Sequence, residues 1–147
     1  MTQPLSRAQV ETEINTTFGF VPGFYKAAPD SAIGTAWAMH RDFEFADTAI
    51  DHVTKELIGL SMAAHIKCGY CIYFHTQAAR FFGATEAQMR EAVFMGGLTV
   101  AWSNAITGAQ TNLEEFKRDV DRALDHLRAG AAPVASASSP HSAAHAP

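Results

Sequence analysis

Cysteine occurs only twice in these 147 residues, at Cys68 and Cys71, so the chain cannot carry the multi-disulfide framework of small secreted domains. Basic residues are also scarce. Eleven Lys and Arg stand against fifteen Asp and Glu, for a formal charge of -4, and they form no stripe or cluster. Nucleic acid is therefore not an expected partner. An anionic substrate stays open, since one local positive group suffices to bind it. Long apolar runs are missing too. The most apolar stretch, Ala92 to Ile106, is too short to span a bilayer and holds Gly96, Gly97, Ser103 and Asn104, so no membrane segment is expected. The N-terminus lacks a basic start followed by an apolar run, which predicts no secretory signal and a cytoplasmic protein. Strand-like alternation is absent over any useful length, and no internal repeat stands out.

What is present is a globular composition, 48% hydrophobic and 18% charged, in a chain long enough to bury one core without staples. The pattern predicts an all-α fold of about six helices, forming one domain over residues 1–130 and a flexible Ala/Ser/Pro/His tail over 131–147. Pro4-Leu5-Ser6 with Gln9 reads as a capping box opening a helix to about Thr16. Gly19 to Gly23 is a turn-rich link, and a helix from Pro29-Asp30-Ser31 runs to about Phe45. Asp51 caps a helix whose apolar positions (Val53, Leu57, Ile58, Leu60, Ala63, Ala64, Ile66) cover more than one face, which predicts a central helix. The next ends at Phe82-Gly83, with Gly83 as a left-handed stop. Thr85 and Gln88 open a helix apolar nearly all round from Met89 to Ile106, expected to be buried in the domain or against another subunit. Asn112 caps the last helix. There Leu113, Phe116, Val120, Leu124 and Leu127 make one stripe, and Glu114 and Arg118 are spaced as an i,i+4 pair. His141 and His145, scattered in the tail, are expected to have no specific role.

The chemistry-bearing cluster is Cys68-x-x-Cys71-x-x-x-His75. On a helix these three project from one face within about one and a half turns. Both thiols can then bridge across the spacer. The imidazole sits one turn beyond Cys71, where it can take or return a proton. A helix starting near Cys68 would favour thiolate over thiol. Each unit by which a thiol pKa is lowered is worth about 1.4 kcal/mol, which is a large gain for a group mostly protonated at neutral pH. Glu56, twelve residues earlier, lies where its helix turns from polar to buried. Inside, it would need a partner such as His75 or Cys68; outside, it would pair with Lys55 or Thr54. Two other readings of the cysteines stay open: small buried hydrophobes, and a zinc site built from Cys68, Cys71, His75 and Glu56, with His65 facing the wrong way to join it. His40 and His52 read as surface or cap residues. Trp37, Trp102, Phe74, Phe81 and Phe82 read as core or interface aromatics, and Tyr70 and Tyr73 also as lining for an apolar substrate pocket.

On Lys55-Glu56-Leu57-Ile58, Cys68-Gly69-Tyr70-Cys71-Ile72-Tyr73-Phe74-His75 and Gly83-Ala84-Thr85, with the V-P-G-F-Y lead-in between Gly19 and Tyr25, the chain resembles the carboxymuconolactone decarboxylase / alkylhydroperoxidase D (AhpD)-like family over roughly residues 15 to 110. The resemblance implies an AhpD-like helical bundle that assembles through apolar helices, commonly as a homo-trimer or homo-hexamer. It implies a thiol-dependent peroxidase of peroxiredoxin type. In that scheme Cys71 attacks a hydroperoxide or other small electrophile, Cys68 donates a proton and then closes a disulfide, and Glu56 and His75 relay protons. No cofactor or metal is implied, and reduction comes from a thiol protein or a lipoyl-bearing adaptor. AhpD itself carries a His between its cysteines where this chain has Gly69-Tyr70, and the chain is shorter than the two-repeat members, which places it with the small single-repeat ones. The rival expectations are a lactone-acid decarboxylase, for which a dithiol has no use, and a non-catalytic zinc-bearing assembly module.

Overall fold

The computed structural model of the chain describes residues 5–130. The tail from 131 to 147, with His141 and His145, and Pro4 of the first cap lie outside the described residues. Six α-helices follow one another: α1 (Arg7–Phe18), α2 (Asp30–Met39), α3 (His52–His65), α4 (Gly69–Phe81), α5 (Glu86–Gly108) and α6 (Leu113–Gly130). A 3-10 turn, Gly23–Ala27, precedes α2, and a π turn, His40–Glu44, extends it. Among the described residues there is no strand. No helix among them is long and apolar enough to cross a membrane.

Local chemistry accounts for the boundaries. The Ser6 backbone N–H donates to Gln9 Oε1 at 2.9 Å, the reciprocal half of a capping box. Asp51 accepts from the Thr54 N–H at 2.9 Å, Thr85 and Gln88 bond each other reciprocally, and Asn112 Oδ1 accepts from the Glu114 and Glu115 amides at 3.0 Å. Three helices end the same way. After α3, Lys67 takes a positive φ of 55°, the Lys67 N–H reaches Ala64 O, and the Cys68 N–H reaches back to Ala63 O at 3.1 Å, which is a Schellman closure. Gly83 (φ 93°) closes α4 likewise and Gln110 (φ 53°) closes α5. Glycine marks only one of these three stops. The other two are carried by side chains that accept a left-handed backbone at a cost of about 1–2 kcal/mol.

The chain divides into two compact units, one through Thr99 and the other from Val100. The first unit has two apolar centres. Val10, Ile14, Tyr25, Ile33 and Trp37 pack from α1, the 3-10 turn and α2, with Leu5, Val21, Ala28 and Phe45 around them. Removing each such large side chain from water contributes about 1.5–3 kcal/mol. The Trp37 indole N–H is satisfied by Glu13 Oε2 at 2.6 Å, an oxygen that also accepts from Arg41 at 2.7 Å. That pairing holds the Glu13 carboxyl below the usual range, first through Trp37 and then through Arg41. The second centre, Leu60, Ala79, Ala84 and Met89, joins α3, α4 and the start of α5.

Several expectations are corrected here. α3 is buried on one face only, at Glu56, Leu60 and Ala63, whereas Ile58, Met62 and Ile66 are exposed. Among the described residues α5 leaves Phe94, Met95, Leu98 and Trp102 exposed, so of the two expected covers for it, the domain or another subunit, the first is not provided by them. In the second unit the α6 stripe is present, but none of its residues is buried. Glu114 pairs with Lys117 at 2.8 Å rather than with Arg118, because the i,i+3 ammonium reaches it first.

Candidate active site

Cys68 has two jobs in the backbone. It is the residue that completes the Schellman closure of α3 and, at the same time, the N-cap of α4, where its Sγ accepts from the Cys71 N–H at 3.3 Å. The left-handed Lys67 turns the chain sharply enough that α4 begins at once, and the x-x spacer becomes the first helical turn. Cys68 and Cys71 are joined as a disulfide, with 5.3 Å between their Cα atoms. The free N–H groups and the positive end of the α4 dipole therefore act on Cys68 most directly. Cys71 lies one turn before His75 on the same helix, and both cysteines are half-buried.

His75 connects this helix to α3. Its Nδ1 lies 2.8 Å from Glu56 Oε2. A carboxylate can only accept, so Nδ1 carries the hydrogen and Nε2 is left as the free lone pair. Glu56 has no exposed surface at all. The reading of it as a surface residue paired with Lys55 or Thr54 is overturned. Lys55 instead donates to the Phe43 and Ala46 carbonyls, both at 2.7 Å, and so ties the segment after the π turn to α3. Gly59, one turn after Glu56, provides the seat for the imidazole, because a Cβ there would fall 2.5 Å from His75 Nδ1 and 2.7 Å from Nε2.

Two residues without a role in the sequence reading join the site. Glu44, at the end of the π turn, has a carboxylate oxygen within 4.8 Å of both the Glu56 and His75 ligand atoms. His40, at the start of that turn, receives the Tyr25 hydroxyl on Nδ1 at 3.1 Å and places Nε2 3.4 Å from Glu44 Oε2. As read from the sequence it is a cap, closing α2 with its N–H on Ala36 O and Trp37 O, and its side chain is 37% exposed. Burial pushes the Glu44 carboxyl up, a displacement that His40 counters and Glu56 reinforces. Burial likewise pushes the Tyr25 hydroxyl up to about 12. The sequence offered one faint hint of this, the twelve-residue spacing from Glu44 to Glu56. Glu44 closes the π turn, and its carboxylate lies in one cluster with that of Glu56 and the His75 ring.

The remaining candidates fall outside. His65 bonds the Ser61 carbonyl through Nδ1 at 2.9 Å. His52 stacks on Phe82 with ring centroids 4.5 Å apart and meets Asp47 at 3.1 Å. Trp37 is core, whereas Trp102 and Phe81 are exposed. Tyr70 and Tyr73 are 91% and 70% exposed, so among the described residues they do not wall a cavity. With the two sulfurs bonded to each other, neither is a thiolate ligand in this oxidation state. The donors that cluster as a metal could use them are instead Glu44, Glu56 and His75.

Against known proteins, a solved chain described as the alkylhydroperoxidase AhpD core from Rhodospirillum rubrum superposes with a TM-score of 0.63 at 26% identity, covering 78% of this chain and 94% of that one. A Paracoccus denitrificans protein described as uncharacterized protein 4 in cox locus is 43% identical over 51 residues, 35% of this chain. The match spans slightly less than half of that relative's length, at 46%. Residues 32–110 match the family described as the carboxymuconolactone decarboxylase family. That stretch is just over half of the chain and contains α3, the Cys68–Cys71 turn and His75. By fold and by this match, the chain belongs to the carboxymuconolactone decarboxylase family and is an AhpD-like member of it.

Proposed function

We propose that this protein is a thiol-dependent peroxidase, or disulfide oxidoreductase, acting on hydroperoxides. Membership of the family supports a peroxidase-like or decarboxylase-like activity. The observation that carries the finer reading is the adjacency of two features: a Cys68–Cys71 pair able to form a disulfide at the first turn of α4, and an imidazole one turn on, anchored by a buried carboxylate. In the reaction, Cys71 thiolate attacks one oxygen of ROOH. The O–O bond breaks, Cys71 becomes a sulfenic acid, and the departing alkoxide takes a proton from Cys68 or from His75 to leave as ROH. Cys68 then attacks the sulfenic sulfur and expels water, which closes the disulfide and prevents over-oxidation. The sum is ROOH plus two thiols giving ROH, water and one disulfide. A reducing thiol protein or lipoyl adaptor restores the dithiol. Glu56 fixes the tautomer and orientation of His75 throughout.

The test is peroxide consumption with a dithiol reductant, followed by mass spectrometry. Cys71→Ser is expected to slow consumption by on the order of a thousandfold. Peroxide treatment of the reduced protein is expected to remove two hydrogens from the Cys68–Cys71 peptide only. Undiminished turnover by Cys71→Ser refutes the assignment. A second reading draws on the family's other named activity. The Glu56–His75 pair can move a proton without any sulfur, so decarboxylation of a lactone acid that survives in a Cys68→Ser/Cys71→Ser double variant would favour a lyase.

We also infer that residues 1–130 act as one functional domain in the cytoplasm and assemble as a homo-trimer or homo-hexamer. Ile58, Met62 and Ile66 on α3, Phe94 and Met95 on α5 and the α6 stripe expose more apolar side chain than a monomer ordinarily leaves wet. Light scattering is expected to give three or six times the 15.9 kDa chain mass. A monomer at micromolar concentration would overturn this inference.

A further inference from the structure

The Glu56 carboxylate has one oxygen that the relay does not use. Oε2 accepts from His75, but Oε1 is buried and has no hydrogen-bond partner. A carboxylate with no exposed surface leaves an oxygen bare only at a cost, and buried charge is ordinarily met by a donor or a cation. The groups gathered here are ligands. Glu44 from the π turn, Glu56 from α3 and His75 from α4 each bring one ligand atom into a cluster whose members lie within 4.8 Å of one another.

We propose that Glu44, Glu56 and His75 hold one first-row divalent cation. Two carboxylates and a neutral imidazole balance its double charge, and a neutral set is what a dry site tolerates. The imidazole points away from Mg²⁺ and Ca²⁺, which prefer oxygen alone. Soft ions are disfavoured because Cys68 and Cys71 are bonded to each other. That leaves the borderline ions from Mn²⁺ to Zn²⁺. His75 Nδ1 and Glu56 Oε2 lie 2.8 Å apart, near the roughly 2.8–3.0 Å edge of an octahedron with bonds of about 2.0–2.1 Å. The ion replaces the hydrogen between them, and that hydrogen passes to Nε2 by exchange with water.

The surroundings suit such a site. Its open side is toward Glu44 and His75, whose side chains are 19% and 21% exposed against 1% for Glu56. His40 Nε2 stands 3.4 Å from Glu44 Oε2 and is backed by the Tyr25 hydroxyl, and Gly59 leaves room for the ring. Such outer contacts orient ligands. The Lys55 ammonium also faces Glu44 but is occupied by the Phe43 and Ala46 carbonyls. This inference goes beyond the peroxidase reading and does not depend on it. With an ion on Nδ1, Nε2 carries the hydrogen and His75 has no lone pair left to take a proton. The cation-bound and relay-competent forms therefore exclude each other.

The test is titration of the full-length, untagged protein in its disulfide form with Zn²⁺ or Co²⁺ alone, followed by calorimetry and elemental analysis. Neither peroxide nor thiol is present, so the outcome is independent of any peroxidase activity. One ion per chain is expected, both in the wild type and in Cys68→Ser/Cys71→Ser, and bound Co²⁺ should show no thiolate charge-transfer band. Glu44→Gln, with helical circular dichroism unchanged, should weaken binding about a hundredfold or more, at least the loss that follows removal of an outer contact. Nitrogen NMR of the Zn²⁺ form should find the His75 hydrogen on Nε2. That readout needs no variant, so it decides even if Glu44→Gln fails to fold. Absence of binding overturns the proposal, since water then fills Oε1. So does binding that survives Glu44→Gln undiminished, that is lost with the two cysteines, or that is lost in His141→Gln/His145→Gln.

Discussion

Replacing His75 by alanine is expected to cost about 1–3 kcal/mol or more of folding stability, the range for leaving a buried acceptor without its donor, and to reduce peroxide turnover by about two to four orders of magnitude. The size of the stability loss follows from the position of Glu56. Its side chain is 1% exposed and its Oε2 relies on the imidazole at 2.8 Å. Without the ring, the carboxylate has neither that donor nor water. Urea denaturation at constant pH would measure the loss. The deficit should shrink as the solution is acidified, because an unpaired buried carboxyl escapes its penalty by binding a proton. Glu56→Gln, which keeps the shape and removes the charge, should cost less than His75→Ala. A double variant replacing both residues by apolar ones of similar volume should recover much of the stability while staying inactive. If His75→Ala loses less than about 1 kcal/mol at neutral pH, Glu56 is not held as the geometry indicates.

Gly59→Ala is the second large effect, and its sign is what makes it diagnostic. In the middle of an exposed helix, alanine in place of glycine stabilises by about 0.5–1 kcal/mol. At position 59 the added Cβ would fall onto the His75 ring, with Nδ1 at 2.5 Å and Nε2 at 2.7 Å. The ring is the end of a rotatable side chain and can swing away, but doing so releases Glu56. A net loss of about 1–3 kcal/mol is expected, as for overpacking of a tight site, along with a turnover defect close to that of His75→Ala. In a His75→Ala background the obstruction is gone, and the same substitution should become neutral or stabilising. That reversal in a double-mutant cycle, read from denaturation midpoints, separates the steric account from a general weakness of α3. If Gly59→Ala stabilises the protein with His75 present, the close approach is absent in solution.

Much of the path to this site was legible in one dimension because its causes are local. The box formed by Thr85 and Gln88, the caps at Asp51 and Asn112 and the stop at Gly83 each depend on residues within four positions of one another. The alignment of Cys68, Cys71 and His75 is likewise a matter of helical period. Non-glycine residues in left-handed turns gave no such signal. Lys67 and Gln110 close helices where the usual marker is missing, so the coupling of the α3 end to the α4 start through Cys68 was hidden. The apolar faces of α3, α5 and α6 showed in the pattern, but a pattern records that a face needs cover and not which molecule supplies it.

From its order of residues alone, this protein determined six helices, where most of them start, and which turn of which helix holds two thiols and an imidazole. Those features are settled by hydrogen bonds and side-chain spacing within a single segment. Tertiary structure alone decided the rest: that Glu56 goes inside to meet His75 rather than outside with Lys55, that Gly59 makes room for the ring, and that Glu44 comes to lie beside the dyad with His40 next to Glu44. The reason is physical. The protonation and orientation of a buried carboxylate depend on what other segments place within a few ångströms of it, and separation along the chain does not encode that distance.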